Sequence, residues 1–282
     1  MTKRARSTGE AFLRCFYMSD LHLETQDFAW TLPKGDVLIV AGDLCHAACL
    51  SPARRDPYAI AQRDRTLRFV DKATASFRHV VLIAGNHDHY DGIFEDTARL
   101  LAEQLPAVTV LDNFALEIGG VSFFGTTLWT DLDCRSEASC ERIRRGLGEY
   151  FFVKTRDASA PAGVRKLKPT DTLAAHDRSL ADLRRHLETA RGPTVVVTHH
   201  APSRHGLNPL HAGNGLDGAY ASDLDATVAS LENVPFWIHG HTHIRKKYRI
   251  GATQMLVNCR GFDARDRNAR LFRTDAFFDI EA

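Results

Sequence analysis

An α/β architecture, a four-layer αββα sandwich of two mixed β-sheets flanked by helices, is predicted for this 282-residue chain by three observations. Apolar runs alternate with amphipathic helical patterns through the first half, which is βαβ in character. There are too many strand-like runs for one sheet, and helical patterns occur in both halves. Five of the apolar runs stop abruptly at residues able to bind a metal, the place where α/β enzymes keep their chemistry.

Strands are predicted near 12–18, 36–41 and 79–84, with shorter ones near 107–111 and 121–127. Amphipathic patterns at about 59–77 and 92–104 predict the intervening helices. From about 131 to 192 the sequence turns polar and basic, with helical patterns near 138–150 and 171–190 around a loop holding Pro161 and Pro169. This stretch is expected to be a helical insertion or cap within a single domain spanning 1–282. The chain then returns to strand at 194–198, passes a Gly-rich loop at 205–220, and predicts a helix near 221–232 and a strand at about 235–239. Two further runs suit an antiparallel hairpin about Gly251, and 271–282 is predicted as the final strand.

With 44% hydrophobic residues the chain can bury a large core. Its formal net charge of +1 supplies no field for a polyanion, so nucleic acid stays open as a partner but is not indicated. The basic N-terminus lacks the apolar stretch of a secretory signal, and no apolar run approaches the roughly 18 residues of a membrane span. A cytoplasmic protein with no membrane partner is expected. No heptad pattern fixes an oligomeric state. The six cysteines, at 15, 45, 49, 134, 140 and 259, form no CxxC pair and are expected as free thiols. Cys45 and Cys49 flank His46, where an isolated zinc or redox role is the alternative.

The five strand tips carry Asp20 and His22 in "SDLHLE", Asp43 in "VAGDL", Asn86, His87 and Asp88 in "AGNHDHY", His199 and His200 in "VTHHAPS", and His241 and His243 in "GHTH". In an extended segment, residues two apart point to the same side, so Asp20 and His22 suit joint ligation, and His241 and His243 repeat the spacing. A carboxylate such as Asp43 can bridge two cations, and Asn86 offers a neutral carbonyl oxygen. The donor set is all oxygen and nitrogen, which favours manganese, iron or zinc over copper(I) or an iron–sulfur cluster. Two ions about 3.5–4 Å apart lower the pKa of a shared water and clamp the oxygens of an in-line displacement at phosphorus, which is phosphoester hydrolysis.

These motifs, spanning positions 20 to 243, resemble those of the calcineurin-like metallophosphoesterases, in the same order. The resemblance implies a two-sheet sandwich in which Asp20, His22 and His243 hold one metal, Asp43 bridges, and Asn86, His199 and His241 complete the second site. It makes a hydroxide bridging the metals the nucleophile, and His87 the group that contacts the phosphoryl and protonates the leaving oxygen. A carboxylate partner is wanted for His87, and Asp88 is the adjacent candidate. His200 is then placed beside the ligands, as an orienting group. The chain has "GDLCHA" and "GNHD" where the phosphoprotein phosphatases of the superfamily carry GDxxDRG and GNHE. That difference points to the branch rich in phosphodiesterases. A phosphomonoesterase on a small metabolite or phosphoprotein, and a noncatalytic metal-binding scaffold, are the alternatives.

His46 stands where the phosphatases have aspartate, and either touches the substrate or His87 or is a plain loop histidine. His205 and His211 in the Gly-rich loop are candidates to approach the substrate, and His239 to support a ligand, each against an ordinary loop or core role. Trp129 walls the pocket or fills the core. The insertion's Arg142, Arg144, Arg145, Lys154, Arg156, Arg165, Lys166 and Lys168 either grip a phosphate or, interleaved with Glu137, Glu141, Glu149 and Asp157, form a solvated mixed-charge face.

Overall fold

The computed structural model describes residues 12–263 and 266–281. The first sheet is built from β1 (Phe12–Met18), β2 (Gly35–Ala41), β3 (Phe77–Ile83), β4 (Thr109–Leu111) and the C-terminal strand β13 (Phe277–Glu281). Its order is β13-β1-β2-β3-β4, parallel throughout except for the antiparallel β13. Strands β5 (Phe114–Ile118), β6 (Val121–Thr126), β9 (Thr194–Thr198), β10 (Phe236–His239), β11 (Arg245–Ile250) and β12 (Thr253–Asn258) make the second sheet. Its order is β11-β12-β10-β9-β6-β5, with parallel β12-β10-β9-β6 at its centre and antiparallel hairpins at both edges.

The central parallel strands are covered on both faces, which is why they read as continuous Val and Ile runs rather than as alternation. Tyr17, Ile39, Val81 and Ile83 from the first sheet meet Phe123, Val197 and Leu256 from the second in one buried cluster. On the outer side of the first sheet, the helix Pro57–Ser76 contributes Phe69 and Val70, and the helix Thr97–Gln104 contributes Leu101. The former starts where Asp56 accepts the Ala59 amide at 3.0 Å and Pro57 occupies the first turn, a favourable cap with a pre-set φ. On the outer side of the second sheet, Leu183 of the helix Pro169–Thr189 packs with Phe124, Val196 and Trp237. These are the four expected layers.

Several boundaries differ from expectation for identifiable reasons. The helix Pro169–Thr189, expected within an insertion, is an outer layer of the sandwich, so the segment standing apart from the sheets is shorter and gathers around Leu132, Ile143, Leu147, Tyr150, Val153 and Leu167. The helix expected at 138–150 divides into Glu137–Gly146 and Glu149–Phe152, with Leu147 extended between them. A side-chain carbon on Gly148 would lie 2.5 Å from the Tyr90 hydroxyl, so the break admits that ring. The loop after it contains an unpredicted hairpin, β7 (Lys154–Arg156) with β8 (Val164–Lys166). The helix expected at 221–232 shrinks to Asp225–Ala229 because Ala221 is extended and bridges to Ala201. Strand β5 was not anticipated, and the final strand begins at Phe277, after a 3-10 turn at Ala269–Leu271.

Candidate metal centre

β1, β2 and β3 in one sheet and β9 and β10 in the other each release their candidate ligands just past their C-terminal ends. The loops are stitched to one another. Asp20 N donates to Gly42 O at 3.0 Å, His22 N to Asp43 O at 3.0 Å, and Gly240 N to His199 O at 3.0 Å. His241 N donates across the sheets to Asp20 Oδ1 at 3.0 Å. The two pairs of residues spaced two apart are not in extended backbone: φ is 55° at Asp20, 49° at His22, 65° at His241 and 48° at His243. Asp43 is left-handed as well, with φ of 55°. Non-glycine residues reach this region at a cost of about 1–3 kcal/mol each and are retained where surrounding structure dictates them, often at functional sites. Asp20 and His22 do fall in one donor group, but strand alternation is not what places them there. His241 and His243 reach different donor groups. Packing leaves no room for a side chain at Gly85, where a Cβ would run into the Asp43 carboxylate and lie 2.7 Å from His199 Cε1.

Two donor groups share Asp43. Asp20, His22, Asp43 and His243 bring ligand atoms within 4.8 Å of one another, as do Asp43, His199 and His241. Asn86 Oδ1 joins the second group, 3.0 Å from His199 Nε2. Their hydrogen bonds test whether a cation fits. His199 Nδ1 lies 2.9 Å from the Ala41 carbonyl, which can only accept, so Nδ1 carries the proton. In the neutral ring His199 Nε2 then presents a lone pair to Asn86 Oδ1 and, at 3.3 Å, to Asp43 Oδ1, an arrangement of facing acceptors that a proton or a metal cation relieves. His22 Nε2 and His243 Nε2 similarly face each other at 3.1 Å. Asp43 Oδ2 and His241 Nε2 are buried without a hydrogen-bond partner among the described residues. Such buried polar atoms are costly unless satisfied. The residues fit a pair of cations.

The electrostatics carry the same mark. Burial pulls the His199 imidazole down, yet the Asp43 charge and hydrogen bond lift it to about 9. His243 is likewise depressed by burial but raised to about 10 by Asp20 and Asp266. Asp43 is driven well below the ordinary carboxylate range, His199 and His87 overcoming the burial that opposes ionisation. A buried carboxylate pair this deep takes up positive charge, as protons or as metal.

His87 donates its backbone N–H to Asp43 Oδ1 at 2.8 Å and stacks on Tyr90, ring centroids 4.4 Å apart. Its carboxylate neighbour is Glu24, whose Oε1 lies 3.2 Å from His87 Nδ1. Asp88, expected in that place, faces the other way: its carboxylate accepts the amides of Asp43 at 2.8 Å, Leu44 at 3.2 Å, Cys45 at 3.0 Å and Gly85 at 2.7 Å. Glu24 and Asp266, which accepts from His243 Nδ1 at 2.6 Å, were missed from sequence. Glu24 continues the two-residue spacing of Asp20 and His22, a usable signal; Asp266 carries none.

The remaining candidates separate clearly. His200 is buried against Trp129 and His241, with Nδ1 3.2 Å from Thr127 O, and burial followed by the charge on His199 pushes it down to about 3. His46 lies with Nδ1 3.5 Å from Asp91 Oδ2, its ring 6.3 Å from that of His87. His205 is exposed beside Asp225, and His239 is buried against the Tyr248 hydroxyl at 2.9 Å. Neither brings a ring nitrogen into either donor group among the described residues, although His239 is close enough to feel the charges of Asp20 and His199. Trp129 is a buried aromatic between His89, Phe94 and His200. All six cysteines are free, and Cys49, not Cys45, brings a ligand atom within 4.8 Å of His46 and Asp91.

A cavity of about 440 Å³ opens over Asp43, Asn86, His87, His241 and His243. Leu147, Leu207, Leu216, Tyr220 and Phe262 wall it, and His211 also lines it. No lysine or arginine is among the described lining residues. Arg144 and Arg145 pair with Glu141, Arg156 with Asp96, and Arg165 with Asp171 and Asp157, which is the mixed-charge face.

Comparison with known proteins agrees with this arrangement. Residues 13–245 match the model of a family described as calcineurin-like phosphoesterase. An uncharacterized protein of Acanthamoeba polyphaga mimivirus is 23% identical over 292 aligned residues, covering 94% of this chain and 96% of its own. The crystal structure of phosphopantetheinyl hydrolase from Mycobacterium tuberculosis superposes with a TM-score of 0.63 at 19% identity, covering 96% of this chain and 97% of that one, which shows a common fold. Among the described residues, no helix is long and apolar enough to cross a membrane.

Proposed function

The chain belongs to the calcineurin-like phosphoesterase family, and from that premise we propose that it is a cytoplasmic phosphodiesterase working with two divalent ions, manganese, iron or zinc. The observation that carries the reading is the sharing of Asp43 between two donor groups at the floor of an open cavity with His87 at its edge. Asp20, His22, Asp43 and His243 would hold one ion, and Asp43, Asn86, His199 and His241 the other. Bound there, the cations supply an attacking water of lowered pKa and neutralise charge developing on the phosphoryl oxygens.

The protein's own groups do the rest. His87, with its amide fixed to Asp43 and its Nδ1 turned to Glu24, keeps Nε2 for the substrate. As the bond from phosphorus to the leaving oxygen breaks, Nε2 gives that oxygen its proton, a contribution typically of about 10²–10⁴-fold. A diester is favoured over a monoester because the cavity extends past the donor groups to Leu147, Leu207 and Leu216, leaving space for a second substituent. The "GDLCHA" and "GNHD" segments point the same way.

The test is hydrolysis of bis-p-nitrophenyl phosphate and p-nitrophenyl phosphate by metal-stripped protein resupplied with manganese, iron or zinc. Diester cleavage that depends on metal, is lost in Asp43→Asn and is weakened in His87→Ala is the expected result. A monoester-only profile would replace the proposal with a phosphatase, and inertness of fully metallated protein toward both would favour a scaffold. A phosphopantetheinyl diester is the first natural compound to try, given the fold shared with phosphopantetheinyl hydrolase.

A further inference from the structure

Glu24 belongs to neither donor group that shares Asp43, yet one of its oxygens touches both halves of the chemistry. Oε1 lies 2.8 Å from His22 Nδ1 and 3.2 Å from His87 Nδ1. The residue is only 3% exposed. Its backbone is clamped by the outer helix, since Arg65 donates Nε to Leu23 O and Nη2 to Glu24 O, both at 2.6 Å. An ionised carboxylate has acceptors and no donor, so both imidazoles must place a proton on Nδ1. For His22 that leaves the Nε2 lone pair aimed at the first donor group, where His243 Nε2 lies 3.1 Å away. For His87 it ties Nδ1–H to Glu24, so that the proton the ring gains on becoming imidazolium sits on Nε2, where it can pass to a leaving oxygen and return the ring to the Nδ1–H tautomer. Among the described residues, the His87 ring nitrogens have only this carboxylate within 4 Å, because Asp88 is spent on backbone amides.

We propose that Glu24 is a positioning residue that fixes the Nδ1–H tautomer of both His22 and His87 through a single oxygen, coupling the affinity of the first metal to protonation of the leaving group. The catalytic half of this inference rests on the phosphoesterase reading above; the tautomer half does not. A shared oxygen has a consequence that two separate carboxylates would lack: one substitution disturbs both histidines at once. Supporting groups of this kind typically change metal affinity 10–100-fold when removed.

The full chain, labelled with ¹⁵N-histidine and observed both metal-free and zinc-loaded, gives the direct test through long-range ¹H–¹⁵N spectra. In their neutral forms, at pH high enough to deprotonate the rings, His22 and His87 are expected as Nδ1–H tautomers, and Glu24→Gln is expected to move the His87 pattern away from that state. A wild-type His87 found as the Nε2–H tautomer, or a pattern unchanged by the substitution, would overturn the proposal. Zinc titration of Glu24→Gln should show one of two ions weakened about 10–100-fold and the other unchanged; two unchanged affinities would remove the metal half. With active protein, the loss in kcat should be small for p-nitrophenyl esters and grow as the leaving group becomes more basic, and should vanish in a His87→Ala background. An equal loss for all leaving groups would leave Glu24 no part in leaving-group protonation. Protein inactive on every phosphoester would defeat the functional reading alone, because the spectra still decide the tautomers.

Discussion

Asp88 and Glu24 exchange the places that adjacency in sequence suggests for them. His87, Asp88 and His89 form one 3-10 turn, in which consecutive side chains diverge, so the neighbour of His87 in the chain is not its neighbour in space. Asp88 instead ties the loop after β2 to the loop after β3, and burial followed by the Asp43 charge pushes its carboxyl up to about 7 against the pull of the backbone amides. Replacing it by asparagine puts an amide NH₂ among backbone donors and leaves some of them unsatisfied. Asp88→Asn is expected to cost about 2–4 kcal/mol in denaturant unfolding of the metal-free protein, given 1–3 kcal/mol for each buried group left without a partner. Wild-type stability would mean that the four amides find other acceptors. The candidate ligands were legible because they follow apolar runs. Asp266 was not, since it reaches His243 from a loop near the chain's end, with no pattern around it.

Among the elements, long parallel strands and long helices were legible because burial on two faces or a sustained 3.6-residue period leaves a readable trace. The polar three-residue strands β7 and β8 leave none. The helix Glu149–Phe152 is equally short, and its position depends on packing: Glu149 is buried beneath Tyr90, whose hydroxyl donates to Oε2 at 3.3 Å. Burial raises the Glu149 carboxyl above its ordinary value of 4.5. The folded chain therefore holds this proton to higher pH than the unfolded chain does, and between the two pKa values the folded state binds more protons. Stability from this group is greatest below the unfolded value and falls as pH rises toward the folded one. Glu149→Gln removes the dependence. The melting temperature of wild type relative to Glu149→Gln is expected to drop as pH rises above 4.5 in scans of metal-stripped protein. A constant or rising difference would contradict the buried, protonated state.

At the scale of the molecule, the candidate centre is a joint between sheets. Asp20, His22, Asp43 and Asn86 come from loops of the first sheet, and His199, His241 and His243 from loops of the second. The apolar interface of Tyr17, Ile83, Phe123 and Val197 holds the sheets together over most of their area, but at this edge the contact is polar, left-handed in backbone and buried. Sequence reasoning recovered the two layers from the number of strands; it did not see that the edge depends on positive charge to balance Asp20 and Asp43. An ion that binds only the folded state adds stability as RT ln(1 + [L]/Kd), about 2.7 kcal/mol per site at a hundredfold excess over Kd. Stripping both sites should therefore lower the melting temperature by roughly 10–20 °C, at about 2–4 °C per kcal/mol for chains near this size. Zinc added in excess should restore it. Asp43→Asn should lose most of this response and melt closer to the stripped wild type, because the shared carboxylate is gone together with its uncompensated buried charge. Calorimetry of the two proteins with chelator and with zinc decides the matter: a wild-type melting temperature indifferent to both would show that the sheets close without a cation, and the pairing of Asp43 with two donor groups would need another explanation.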